Sequence, residues 1–577
     1  MNGIGRYAGY RIADLRKDLL SGLIVGIIAI PLGMAFAIAS GAKPEYGLYT
    51  TIIAGILISL FGGSKFQIGG PTGAFIPILL AIVMQYGYDN LLLAGMMAGL
   101  MLVLMGLFGL GALIKFIPRS VTVGFTAGIA VLIFSGQIVN VLGLTGVAKH
   151  EDFYSNMKEI GIHIGTLNGF SLLTAAVCLA VLLLMPKLAP KVPASLLGLI
   201  LSSVVAAVFY KGQVATIGSS YGPIPGTLPQ LHLPEITWER LRNLLQPAFV
   251  IAMLGGIESL LSAVVADGMT GSRHNSNREL IGQGIANLAA PLFGGIPATG
   301  AIARTATNIK SGAASPLSGV IHGLVVLLVL VLFAPYASHI PLASMAPVLM
   351  LVAWNMSERK SFRHLLRAKT GDSLVLLLTF LLTVFTSLAT AVAIGLLVAV
   401  ILFAKRMSEV LKVAKALPDH DHKHAKVRAN RVREGHDCPQ INLYTIEGPL
   451  FFGAADKFEQ SVLDSLPARP GILLLRMGKV PFIDATGEAS LASLIQHIER
   501  LGGKVLLSGV QEQPLEIMKR TGLLERIHPA HRFDHTGEAI QYALQHLNLE
   551  KCKGCRQFAF RECAALSSAA APESDKA

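Results

Sequence analysis

Glu258 stands in the middle of an apolar stretch, Leu254-Gly-Gly-Ile-Glu-Ser-Leu-Leu-Ser-Ala-Val-Val-Ala266. A charged carboxylate is expensive in such surroundings, so a group placed there is a functional candidate. Its chemistry would be to take up and release a proton. The alternative is a carboxyl that stays protonated and only hydrogen-bonds between helices. Ser262 lies four residues on, on the same helix face, and Asp267 reads as an interface residue at the end of the span. Two further stretches carry chemistry. Gly69-Gly-Pro-Thr-Gly-Ala-Phe75 and Gly294-Gly-Ile-Pro-Ala-Thr-Gly-Ala-Ile-Ala-Arg304 say nearly the same thing twice. Each breaks a helix with Gly and Pro, then restarts it at Thr-Gly-Ala. A helix that starts inside an apolar region aims its free N–H groups and positive dipole end at one point. Two such starts make an anion site built largely of backbone. Thr72 and Thr299 would add hydroxyl donors, and Gly73 and Gly300 would allow close approach. Arg304, one turn after Gly300, brings a fixed positive charge and can pair with Glu258; the alternative is a structural arginine bound to backbone or to a lipid head group. Lys310, about two turns beyond Arg304, reads as snorkelling to the surface. Gln137 reads as packing between helices, and Phe36, on pattern alone, as ordinary core.

These residues need a membrane around them, and the composition supplies it. Of 577 residues, 53% are hydrophobic and 14% charged, against roughly 25% charged in soluble domains. Mean hydropathy is +0.59. Charge is sparse from Leu19 to Phe403 and ordinary from Lys405 onward, so a large membrane part precedes a smaller α/β part. The net charge of +13 sits in short loops beside apolar spans and does not call for nucleic acid. No cleavable signal peptide is expected, and Leu19 onward reads as a retained first span.

Apolar segments occupy 19–39, 46–62, 72–85, 91–114, 120–142, 169–186 and 194–210, then, after a polar gap, 246–266, 279–293, 299–312, 316–335, 341–356, 372–388 and 389–404. With the N-terminus inside, Lys115, Arg119, Lys187, Lys191, Arg273, Arg278, the cluster Arg359 to Lys369, Lys405 and Arg406 all fall on the cytoplasmic side. Seven spans is an odd number, so the second seven run upside-down relative to the first. The third segment of each half is the short one broken by Gly and Pro. Paired broken segments in inverted halves point to a transport site at mid-membrane. The expected fold class is therefore a polytopic α-helical membrane protein with fourteen spans, a 7+7 inverted repeat, plus a small cytoplasmic α/β domain. The α/β part alternates strands and amphipathic helices and contains no phosphate loop, dinucleotide fingerprint or catalytic triad. Cys552, Cys555 and Cys563 offer two or three of the four ligands of a structural zinc site, or else solvated thiols. His420, His422 and His424 read either as a metal-binding run or as a solvated linker.

The motifs IPLGMAFAIASG, GLYT, GGPTGAF, LGGIESLLSAVVADGMTG, NRELIGQGIANL and GGIPATGAIARTATNIKSG resemble the sulfate permease (SulP) anion transporters, and the tail is similar to a STAS domain. The resemblance covers about residues 12–547, and within the family it is nearest the bacterial C4-dicarboxylate branch. It implies core and gate domains that move against each other (an elevator mechanism), a homodimer, and an anion between the N-termini of spans three and ten. Phe36, Thr72, Gly73, Ala74, Gly300, Ala301, Ala303 and Arg304 would then line the anion, and Glu258 with Ser262 would couple protons. The sodium-coupled bicarbonate branch has Asp where this chain has Glu258 and a hydroxyl residue where it has Ile302, so protons are preferred to sodium and no other cofactor or metal is implied. Asp484-Ala485-Thr486 lacks the phosphorylated Ser of STAS regulators. The domains expected are 1–17 (cytoplasmic), 18–405 (transport, with repeats of about 18–212 and 245–405), 406–437 (linker), 438–548 (STAS) and 549–577 (flexible tail). The expected activity is proton-coupled symport of a small C4-dicarboxylate such as succinate or fumarate. It would take place in the bacterial inner membrane among lipids, with both termini cytoplasmic and a further protein partner at the STAS domain. The alternatives are a sulfate or bicarbonate carrier on the same scaffold, and an anion channel or STAS-based regulatory scaffold. No enzyme is expected.

Overall fold

The computed structural model describes residues 6, 10–112, 117–189, 192–415, 438–464, 466, 471–557, 559–560 and 562–568. Lys115, Lys191 and the run His420, His422 and His424 lie outside the described residues. The chain divides into two compact units, Met1–Ala399 and Val400–Ala577.

In the first unit each apolar segment becomes a helix. The first half runs α1 (Ile12–Ala39), α2 (Pro44–Phe61), a two-residue strand β1 (Gly69–Gly70), a tight turn Gly73–Phe75 leading into α3 (Ile76–Tyr86), then α4 (Tyr88–Leu107) and α5 (Arg119–Gly136), continued by α6 (Ile138–Leu142). It goes on through α7 (Phe153–Ile162), α8 (Gly169–Leu188) and α9 (Ala194–Phe209), and a short α10 (Ile217–Tyr221) follows in the polar gap. The second half repeats the order: α11 (Trp238–Thr270), α12 (Ser276–Leu292), β2 (Thr299–Gly300), α13 (Ile302–Lys310), α14 (Leu317–Ala337), α15 (Leu342–Met356), α16 (Arg359–Arg367), α17 (Gly371–Phe385) and α18 (Leu388–Val410). The starts follow local chemistry. Thr237 accepts from the Arg240 amide at 3.3 Å and Asn275 from the Arg278 amide at 3.0 Å, satisfying donors that the first helical turn leaves free.

Eight helices among the described residues are long and apolar enough to cross a membrane, and Gly73–Tyr86, Ala194–Phe209 and Gly371–Phe385 are shorter apolar ones. The outer faces keep large apolar side chains uncovered, with Leu183 at 53%, Phe333 at 54% and Val208 at 68% exposure. Water would not tolerate so wide an apolar surface; lipid does. Inside the unit, α1, α2, α4, α11, α12 and α14 pack on one another around the short α3 and α13, while α5, α8, α9, α15 and α17 form a second group. The two groups meet where α1 touches α9 and α15, and where α3 touches α5.

The second unit holds a five-stranded sheet in the order β3 (Lys412–Lys415), β4 (Ile441–Glu447), β5 (Ile472–Lys479), β6 (Lys504–Ser508), β7 (Arg532–Phe533). Only the β3–β4 pair is antiparallel. Helices α19 (Ala455–Leu463), α20 (Ala485–Arg500), α21 (Glu512–Arg520), α22 (Leu523–Arg526) and α23 (Thr536–Gln545) follow the sequence reading, with α24 (Cys563–Ser568) beyond it. Phe458, Leu491 and Met518 lie in the apolar layer on one face of the sheet, Ala539, Ala543 and Phe560 in the layer on the other. Parallel strands covered on both faces read as continuous apolar runs, as Ile472–Leu475 does.

Two expectations change. The segment 406–437 is not all linker, because α18 runs to Val410 and Lys412–Lys415 pairs with Tyr444–Glu447. Four residues flanked by lysines carry too little alternation to signal an edge strand. Nor is 549–577 a plain tail: Ala559 and Phe560 are buried in the second apolar layer. Phe558-Ala559-Phe560 is too short an apolar run among polar residues to show periodicity, so the burial of Ala559 and Phe560 depends on the sheet face they meet.

Candidate functional site

β1 and β2 pair antiparallel, with Gly69 opposite Gly300 and Gly70 opposite Thr299. This two-rung ladder ties the two broken segments back to back, so that α3 and α13 start from a common point. Neighbours hold the ladder from several sides. Asn287 on α12 accepts from the Ala298 amide and donates to the Ala298 carbonyl, both at 2.8 Å. Thr50 on α2 donates to the Ile296 carbonyl at 3.1 Å. The Ala301 amide reaches the Ile68 carbonyl at 2.8 Å, and the Thr305 hydroxyl accepts from the Ile68 amide at 3.0 Å.

At the mouth of the ladder the hydroxyls of Thr72 and Thr299 each donate to Glu258 Oε2 at 2.9 Å and stand 3.1 Å from each other. Glu258 is half-buried, and its carboxyl bridges both half-helices. Ser259, next to it, accepts from the Gly300 amide at 3.0 Å.

The remaining sequence candidates separate into two groups. Gly73 faces open packing: a methyl group there would stand 3.4 Å from Ile133 on α5 and 3.6 Å from the Phe36 ring and from Met356 at the end of α15. Phe36 is buried at this point, and Ala74 lies in the turn beside it. The first-turn amides of Gly73 and Ala74, and those of Ile302 and Ala303, have no acceptor within their own helices. Ala303 is exposed. The amides of Gly300 and Ala301 are committed, to Ser259 and Ile68 respectively. A methyl on Gly300 would fall 1.7 Å from Gln67 Nε2. The missing side chain at Gly300 makes room for Gln67.

Arg304 is buried, and its Nη2 donates to the Pro71 carbonyl. Its charge therefore sits behind the first half-helix entry, against Gly70, whose φ of +149° and lack of a side chain leave room for the guanidinium. Ser262 is buried and donates to Thr305 at 3.3 Å; the structure does not join it to Glu258. Gln137 accepts from Asn140 at 3.2 Å, one turn on. Asp267 accepts from the His274 ring at 2.7 Å in the loop before α12.

Sequence reasoning missed Gln67, Ser259, Ile133 and Met356. Gln67 carried a usable signal, a polar residue just before the Gly-Gly of the first break. Its amide nitrogen and oxygen are both buried without a hydrogen-bond partner. Ile133 and Met356 are ordinary apolar residues of their spans, and only the packing of the two helix groups brings them to Gly73.

The profile of the sulfate permease family matches residues 15–379, and that of the STAS domain matches 434–539. The putative sulfate transporter YvdB of Bacillus subtilis (strain 168) is 57% identical over 534 residues, covering 92% of this chain and 99% of that protein. The bicarbonate transporter BicA of Picosynechococcus sp. (strain ATCC 27264 / PCC 7002 / PR-6) is 29% identical over 556 residues, covering 92% and 95%. Among solved structures, SLC26A9 superposes with a TM-score of 0.82 at 20% identity, covering 94% of this chain and 92% of that one. The transmembrane domain of a cyanobacterial BicA superposes with a TM-score of 0.60 at 31% identity, covering 68% and 98%.

Proposed function

The chain belongs to the sulfate permease family of membrane anion transporters, and we propose that it carries a small oxyanion of the sulfate and bicarbonate class together with protons. The observation that carries this reading is the Glu258 carboxyl bound by both Thr72 and Thr299. While Glu258 is charged, it repels an incoming anion and holds the two hydroxyls that would otherwise point at one. A proton on Glu258 removes the repulsion and loosens both hydroxyls. The half-helix amides of Gly73, Ala74, Ile302 and Ala303 can then accept the anion, with the Arg304 charge behind them. Proton and anion thus favour each other's binding, which is what coupling two fluxes requires. The reading keeps both termini cytoplasmic, as the lysine and arginine placement supports.

The names of the relatives support sulfate or bicarbonate before a dicarboxylate. C4-dicarboxylate is the second reading, favoured by Glu258 together with the Ala301–Arg304 stretch. The test is uptake of labelled sulfate, bicarbonate and succinate into proteoliposomes under an imposed inward proton gradient, with Glu258→Gln beside the native protein. Gradient-driven uptake of sulfate or bicarbonate, reduced at least about tenfold in the variant, is the expected result. Uptake of succinate alone would move the substrate to the second reading. Uptake indifferent to both gradient and variant would remove the proton mechanism.

A further inference from the structure

Four of the chain's five cysteines belong to the second unit: Cys438 just before β4, and Cys552, Cys555 and Cys563 after α23. All four line one cavity of about 20 Å³, with Gln440 and Gln557. That space suits an ion. The two parts of the chain are clamped together there. Gln440 donates to the Asn548 carbonyl at 3.0 Å, accepts from the Asn548 amide at 2.9 Å, and lies 3.3 Å from Cys552 Sγ as a donor. The Phe560 amide donates to Cys563 Sγ at 3.3 Å. Cys438 and Cys563 both pack against the apolar layer that holds Phe560. Gln557 Oε1 is buried without a hydrogen-bond partner.

We propose that Cys438, Cys552, Cys555 and Cys563 bind one zinc ion as four thiolates. A closed tetrahedral set of four sulfurs is the ligand chemistry of a structural zinc site, and Cys-x-x-Cys presents two of the four from one turn. The Cys555 amide bonds the Cys552 carbonyl at 3.1 Å, which forms that turn. Donors from Gln440 and the Phe560 amide already lie on two of the sulfurs, the outer support that charged metal ligands need. On binding, four S–H bonds give way to four Zn–S bonds, the protons go to solvent, and nothing is oxidised. Among the described residues no three side chains of the ligating types yet stand at the spacing one ion requires. Binding therefore requires the four sulfurs to close on one ion, and its free energy adds to the stability of the fold around Gln440.

The experiment is metal analysis of the full-length protein purified in detergent without chelators, with thiol counting by alkylation and mass spectrometry. About one zinc per chain is expected. It should be retained in Cys178→Ser, which alters the buried membrane cysteine, and lost in Cys438→Ser and Cys552→Ser. Should those variants fail to fold, native protein stripped by a chelator and titrated with cobalt gives an independent answer: an intense visible spectrum of tetrahedral cobalt tetrathiolate at one equivalent. Four freely alkylated thiols with no metal, a disulfide among them, or iron with acid-labile sulfide would each overturn the proposal.

Discussion

Gly73 and Gly300 each follow a threonine at the entry of a half-helix, yet their surroundings differ. A methyl on Gly73 meets Ile133, Phe36 and Met356 at ordinary contact distance. Gly73→Ala should therefore keep the fold and shrink the space in front of the first-turn amides. Its expected signature is an unchanged melting temperature with a raised KM for anion uptake. A methyl on Gly300 collides with the Gln67 amide and its Cδ. Overpacking a dense interior costs about 1–3 kcal/mol, so Gly300→Ala should lower the melting temperature and the uptake together. Removing the obstructing side chain as well, in Gly300→Ala with Gln67→Ala, should recover part of both. Strict additivity of the two single changes would count against the contact. The Thr-Gly-Ala repeat was legible as chemistry because helix starts need those residue types. The unlike roles of the two glycines were not, because the partner of Gly300 lies 233 positions back and no local pattern records it.

At the level of elements, apolar length and loop charge carried nearly all of the information, and every expected span has its helix. Connections were harder to read. α7 and α16 sit in loops where polar composition masked them, and β3 is too short to alternate. Buried carboxylates fix how these elements join. Glu279 on α12 accepts from the amides of Gly63 and Ser64 at 2.7 and 2.8 Å, in the turn after α2, and from Gln283 at 2.9 Å. Asp18 on α1 accepts from the amides of Ala314 and Ser315 at 2.6 and 3.0 Å, just beyond α13. Each carboxylate gathers amides that have no partner in a regular element. Their loss leaves buried N–H groups unpaired, at about 1–3 kcal/mol each. Glu279→Ala should destabilise the membrane unit by on the order of 3 kcal/mol, and Glu279→Gln, which keeps an acceptor, by clearly less. Thermal unfolding in detergent separates the two. Equal melting temperatures would mean that the ladder is held without this tie.

At the scale of the whole molecule, the site belongs unequally to the two helix groups. Thr72, Glu258, Thr299 and Arg304 come from the group built on α1–α4 and α11–α14, and the second group contributes Ile133 and Met356 as an apolar wall. The division was foreshadowed by the repeat of seven spans, but which helices group together is a matter of three-dimensional packing, outside the reach of periodicity. These polar groups therefore sit in one helix group with Glu258, and the proposed coupling can be tested at equilibrium, without a gradient. If anion binding favours protonated Glu258, linkage requires that adding anion favour proton binding by the same factor. Sulfate added to weakly buffered protein in detergent, near neutral pH, should then cause net proton uptake of up to about one proton per chain. The solution pH should rise, because the anion-bound form holds more protons than the free form. Glu258→Gln should abolish the rise while still binding anion, since its neutral amide mimics the protonated acid. Proton release on sulfate addition would reverse the proposed order of charge in the site, and an unchanged rise in Glu258→Gln would place the proton elsewhere.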